Sequence, residues 1–169
     1  MTKVKKPHRS AENILSDEEI KFFYTEILLY SECDRTYWGA FEKVKKQIKA
    51  TDSLKNFDFV YINYEEKMKN PKPNVFYFNP EKELEEEKRT RRSKILERLF
   101  AHIRNAFAHN YIRNEENGVF VLEDFYSDYS KQTLYVRITS MESFMEIMRK
   151  IKDIIAEQEK ENKEKHGQN

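Results

Sequence analysis

The chain has 169 residues, about one domain's worth, and its 31 Lys+Arg against 30 Asp+Glu leave a net charge of +1, so overall charge does not mark a nucleic-acid binder and any basic site must be local. Hydrophobic residues make up 38% and charged residues 36%, so the apolar content must lie in a few stripes, and runs such as Ile27–Tyr30 fall far short of a membrane span of about 20 residues. A single cysteine, Cys33, excludes an intrachain disulfide or a thiolate zinc site, and three scattered glycines, Gly39, Gly118 and Gly167, exclude a phosphate-cradling loop or a nucleophile elbow.

Residues 1–10 read as a flexible basic arm; no apolar stretch follows Met1–Pro7, so no signal peptide is expected. Ser16 and Glu19 have the spacing of a capping box. The next segment, Ile20 to about Ser31, carries Ile20, Phe23, Ile27 and Tyr30 at helical spacing, although its Phe-Phe-Tyr and Ile-Leu-Leu-Tyr runs also suit a buried strand. A second helix is predicted from Asp34 to about Ala50, with Trp38, Phe41, Val44 and Ile48 on one face, and a third from Ser53 to Lys69 with Phe57, Val60, Tyr61 and Tyr64 inward. Asn70-Pro71-Lys72-Pro73-Asn74 interrupts the helices, and Val75–Phe78 is a short extended stretch. Asn79-Pro80 restarts a helix whose charged first turns, Glu81–Arg92, face solvent. From Ile95 the residues Leu96, Leu99, Phe100, Ile103 and Phe107 form the central apolar seam, ending near Asn110.

Asn117-Gly118 signals a turn before a strand at Val119–Leu122, and Thr133–Ile138 forms its hairpin partner. Thr139 with Glu142 would cap a last helix with Phe144, Ile147, Met148, Ile151, Ile154 and Ile155 as its seam. After Ala156 the chain has nothing to bury, so residues 157–169 are expected to be a disordered charged tail. The expectation is a mainly α protein: a single domain over 11–156, built as a bundle of four to five helices with a small antiparallel hairpin at about 119–138 before the last helix.

Residues 99–111 carry the chemistry. At about 100° per residue, Asn105 and His109 share one helix face, and Arg104 flanks it. A neutral imidazole can take the proton of a ribose 2′-hydroxyl, while a guanidinium stabilises charge growing on the phosphate. Asn105 can orient either group. Such a site needs no metal ion and no cofactor, and it cuts RNA but not DNA. The plainer reading is a histidine favoured by a helix C-terminus, a solvated arginine, and Asn110 as a C-cap. Similarly, Lys88, Arg89, Arg91 and Arg92 suit RNA phosphates, or simply balance the glutamates of residues 81–87 on a solvated face.

The run Arg104-Asn105-Ala106-Phe107-Ala108-His109 resembles the R-x4-6-H motif of the HEPN superfamily, and His109-Asn110-Tyr111 extends it to R-x4-H-x-Y. The resemblance implies a HEPN-like helical domain and a metal-independent endoribonuclease of toxin–antitoxin, abortive-infection or phage-defence systems. It implies Arg104 and His109 as catalytic, Asn105 as supporting, and a cytoplasmic homodimer with the two motifs facing each other across the interface. It also implies an antitoxin or nucleotidyltransferase partner that modifies Tyr111. The Pro-rich break and the hairpin depart from the short toxins of that kind. The alternative is a non-catalytic HEPN-like module that binds nucleotide, RNA or protein.

Overall fold

The computed structural model describes residues 15–32, 41–62, 70–79, 95–115, 118–125 and 131–166. The elements in chain order are α1 (Asp17–Phe22), a π-helical segment (Phe23–Leu28), α2 (Leu29–Glu32), α3 (Phe41–Ala50), β1 (Asp58–Tyr61), β2 (Val75–Phe78), α4 (Ile95–Ala108), β3 (Ile112–Glu115), β4 (Val119–Phe125), β5 (Gln132–Ile138) and α5 (Met141–His166). The strands form one five-stranded mixed sheet in the order β1-β2-β5-β4-β3, with β1 and β2 parallel and the other pairings antiparallel.

This corrects the expectation of a mainly α, HEPN-like helical bundle with one small hairpin: the fold is mixed α/β. The largest single difference lies at residues 53–62, the described part of the helix predicted over Ser53–Lys69, whose remainder at 63–69 lies outside the described residues. Residues 53–56 form turns and β1 occupies Asp58–Tyr61 within the span of the predicted third helix; Leu54, Phe57 and Phe59 are buried, whereas Val60 and Tyr61 are 39% and 48% exposed. Aromatic and β-branched residues suit a strand paired with a neighbour, and the Phe59 and Phe76 rings stack at 5.1 Å across the β1–β2 pair. The short extended stretch at Val75–Phe78 is thereby an interior strand, hydrogen-bonded to β1 on one side and β5 on the other. The strand at Ile112–Glu115 also went unpredicted, because only one of its four residues is apolar; Arg113–Glu115 and Arg137–Glu115 ion pairs, each at 2.9 Å, stabilise it.

Phe59, Phe76, Phe78, Leu122, Leu134, Val136 and Ile138 are buried in the core with the apolar seams of α3, α4 and α5. Phe144 of α5 meets both Phe76 of the sheet and Phe23 of the π-helical segment. That segment is pinned from α5, where Lys152 pairs with Glu26 and lies 4.9 Å over the Tyr30 ring. Ser16 and Glu19 form the expected capping box at the start of α1.

Two sequence expectations change around α5. Thr139 is held by the Asn74 side chain, whose Oδ1 accepts from the Thr139 backbone N–H at 3.1 Å, and it is Ser140 that accepts from the Ser143 N–H at 3.2 Å. The helix itself continues to His166, ten residues past the expected end near Ala156. The predicted helix from Pro80 to Arg92 and the arm at 1–10 lie outside the described residues. Among the described residues, no helix is long and apolar enough to cross a membrane.

Candidate functional site

Helix α4 is the element on which the candidate residues stand. Its apolar residues recur every three or four positions, and Leu96, Leu99, Phe100, Ile103 and Ala106 are fully buried. The helix stops at a left-handed residue, Asn110, with φ of 55°. There the Tyr111 N–H donates to Ala106 O at 2.7 Å and the Asn110 N–H to Phe107 O at 3.0 Å. These two bonds form a Schellman cap, in which asparagine is one of the few residues that tolerates the backbone conformation.

His109 occupies the last turn, exposed, with its N–H bonded to Asn105 O at 2.9 Å. Its ring lies 5.5 Å from that of Tyr111. Tyr111 is only 6% exposed, and it meets Phe125 of β4 edge-on at 5.7 Å. The cap therefore places an imidazole at the surface on top of a buried tyrosine.

One turn earlier the chain is tied far more tightly. The Arg104 guanidinium donates through Nε and Nη2 to Asn105 Oδ1 at 3.3 and 3.2 Å. Asn105 Nδ2 in turn donates to Asp124 Oδ2 at 3.5 Å. The same Asp124 oxygen accepts from Thr133 Oγ1 at 2.9 Å and lies 2.7 Å from His102 Nδ1. His102 Nε2 faces the carbonyl of Asn79 at 3.1 Å. Both ring nitrogens thus face oxygens, so the ring is held from both ends. A buried polar group left without such partners would cost about 1–3 kcal/mol, so this network closes a polar cluster inside the core.

The candidates therefore divide. Arg104 and Asn105 are joined to each other and to the sheet, and His109 and Tyr111 are joined to each other at the cap. The Asn105 side-chain amide serves Arg104 and Asp124, and its link to His109 is the backbone bond from the His109 N–H to Asn105 O. Lys88, Arg89, Arg91 and Arg92 lie outside the described residues. Asp124 and His102 were not singled out from sequence. A signal existed for Asp124: alternation along β4 puts it on the same side as Leu122, which aims a carboxylate into the core.

Beside Arg104 runs a groove of about 470 Å³ between α4 and the first helical segment. Phe23, Tyr24, Ile27, Phe107 and Asn110 are among its walls, and Arg104 lines it as well. Tyr24 is 61% exposed. On β4, burial pushes the Glu123 carboxyl above the usual carboxylate range, against the opposing pull of Arg113 and a hydrogen bond from Gln132.

The family model HEPN pEK499 p136 matches residues 19–162, a span that holds every strand and nearly all of the helical structure just described. The chain belongs to this HEPN family. No curated protein and no solved structure matches it. In this HEPN protein the R-x4-H residues fall on the helix buried at the centre of the fold, with the five strands gathered into a single sheet.

Proposed function

We propose that this HEPN protein is a metal-independent endoribonuclease acting as a toxin or phage-defence effector. The observation that carries the reading is the pairing of an anchored guanidinium with an exposed imidazole at the end of one helix: Arg104 is held by Asn105, which is itself held by Asp124, and His109 stands clear at the cap. His109 accepts the proton of the ribose 2′-OH, and the 2′ oxygen attacks phosphorus. Arg104 neutralises the charge that grows on the phosphate oxygens. The bond from phosphorus to the 5′ oxygen breaks, and an imidazolium returns a proton to that oxygen. The products are a 2′,3′-cyclic phosphate and a 5′-hydroxyl. A homodimer with its two motifs facing one another supplies both the acid and the base, together with a local positive field that a chain of net charge +1 lacks as a whole. The burial of Tyr111 favours a role as the platform under His109 over that of a displayed hydroxyl.

The test is cleavage of a mixed structured and single-stranded RNA pool in EDTA, comparing wild type with His109→Ala and Arg104→Ala after circular dichroism shows all three folded. Cleavage by wild type that falls about 10²–10⁴-fold in both variants is the expected result. Equal activity in all three removes the assignment. A strictly monomeric protein at micromolar concentration removes the shared cleft.

A further inference from the structure

We propose that the groove between α4 and the π-helical segment is a nucleobase subsite, filled by the base next to the phosphate that Arg104 holds; the proposal rests on the ribonuclease reading. Three observations meet there. The first is continuity: Arg104 lines the groove, so a phosphate on its guanidinium stands at the groove's edge, and the attached nucleoside is within reach of the interior. The second is chemistry: the lining includes the exposed Tyr24 and the half-buried Phe107 together with the buried Phe23 and Ile27, and Asn110 adds an amide at the cap. Aromatic and aliphatic walls accept the face of any base, and one amide can meet a polar edge. The third is the state of Tyr24. It stands 61% exposed on the π-helical segment while its neighbours Phe22 and Phe23 are buried. A π-helical segment re-aims side chains relative to a regular helix, and such segments are frequent at functional sites. Lys152 and Phe144 of α5 hold this one in place from behind, so Tyr24 rests on a fixed support.

The groove's volume, about 470 Å³, matches a small ligand. Because the wall contacts a face rather than reading a donor and acceptor pattern, the subsite sets affinity and position more than sequence. It would place the ribose between Arg104 and the groove, and so favour one phosphate of a strand for attack.

The experiment uses the full chain carrying His109→Ala and a fluorescent 2′-O-methyl hexanucleotide, which lacks the attacking hydroxyl, with a single abasic position walked along it. One abasic position should weaken binding about tenfold, the effect of a lost stack. Tyr24→Ala should weaken binding of the intact oligonucleotide by a similar factor and have no further effect on that abasic form, and Tyr24→Phe should restore binding. Losses that multiply, or binding untouched by Tyr24→Ala, overturn the subsite. So does a Tyr24→Ala variant that dissociates a dimer in sedimentation yet binds the oligonucleotide as before, since the groove then receives protein. Cleavage of RNA by the unmodified chain is scored separately. If there is none but the coupling persists, the ribonuclease reading fails and the subsite stands; if there is cleavage without the coupling, only the subsite fails.

Discussion

Arg104 and His109 stand five residues apart on one helix, yet their surroundings differ sharply. Arg104 is the outer member of a hydrogen-bonded series that passes through Asn105 to a carboxylate 2% exposed and ends on the backbone of residue 79. His109 has one regular helical bond, an aromatic neighbour, and a left-handed residue after it. The contrast suits a phosphate that must be held while a proton moves. Arg104 is half-buried and tied through Asn105 to the buried Asp124, whereas the His109 side chain is exposed.

The largest effect should come from the exposed end. His109→Ala is expected to abolish cleavage by about 10²–10⁴-fold while shifting the urea midpoint very little, because surface substitutions fall within about 0.5 kcal/mol. A variant that loses activity only as it unfolds would break the comparison. At the anchored end, Asp124→Ala should destabilise the protein by about 3 kcal/mol or more, since it strands the His102 ring, the Thr133 hydroxyl and the Asn105 amide together. Asn105→Ala sharpens the point. It should lower cleavage about tenfold at an unchanged fold, and a second substitution, Asp124→Asn, should then lower it no further.

The boundary between the two ends is Asn110. Asn110→Ala keeps a β-carbon in the left-handed region but removes the short polar side chain that makes asparagine tolerant of it, and should cost about 1 kcal/mol, whereas Asn110→Gly should be close to neutral. Thermal unfolding of the pair reads this directly. The smallest effect concerns pH at the strand that backs the site. Glu123 has a raised folded-state pKa, so the folded chain binds more protons than the unfolded one in the window between the two values. Its contribution is present below the unfolded pKa and lost as pH rises through the folded one. Wild type should therefore lose ground to Glu123→Gln as pH climbs from the ordinary glutamate range towards neutrality, visible as diverging urea midpoints. Parallel profiles would show that Arg113 and Gln132 outweigh the burial.

The contrast between the two ends was only half legible in the sequence. The seam through Leu96, Leu99 and Ile103 announced α4, and a hydroxyl three residues before a glutamate announced the start of α1. Local spacing fixes such features. The motif residues were found in the same way, because a helix keeps them near one another. What local spacing cannot show is the partner across the sheet. Asn105 and Asp124 are 19 residues apart, and nothing near either one names the other. The misreading of Val60 and Tyr61 as inward helix residues has the same origin, whereas Phe57 is buried as expected. Spacings of three and four suit a helix, but pairing with the parallel partner β2 makes Asp58–Tyr61 a strand in which Phe59 is the buried residue.

The strand order also has a consequence for how the chain comes together as it leaves a ribosome. β3, β4 and β5 are sequential neighbours that pair as a meander, so their contacts close over short loops and form early. β1 and β2 meet each other sooner in synthesis, yet the far edge of β2 belongs to β5, which is made only after α4. Until then β1 and β2 lack the strand that pairs the far edge of β2, and because two strands alone are marginal their phenylalanines stay open to aggregation in the unfinished chain. Slowing translation beyond α4 should therefore lower the soluble yield more than slowing it before β1.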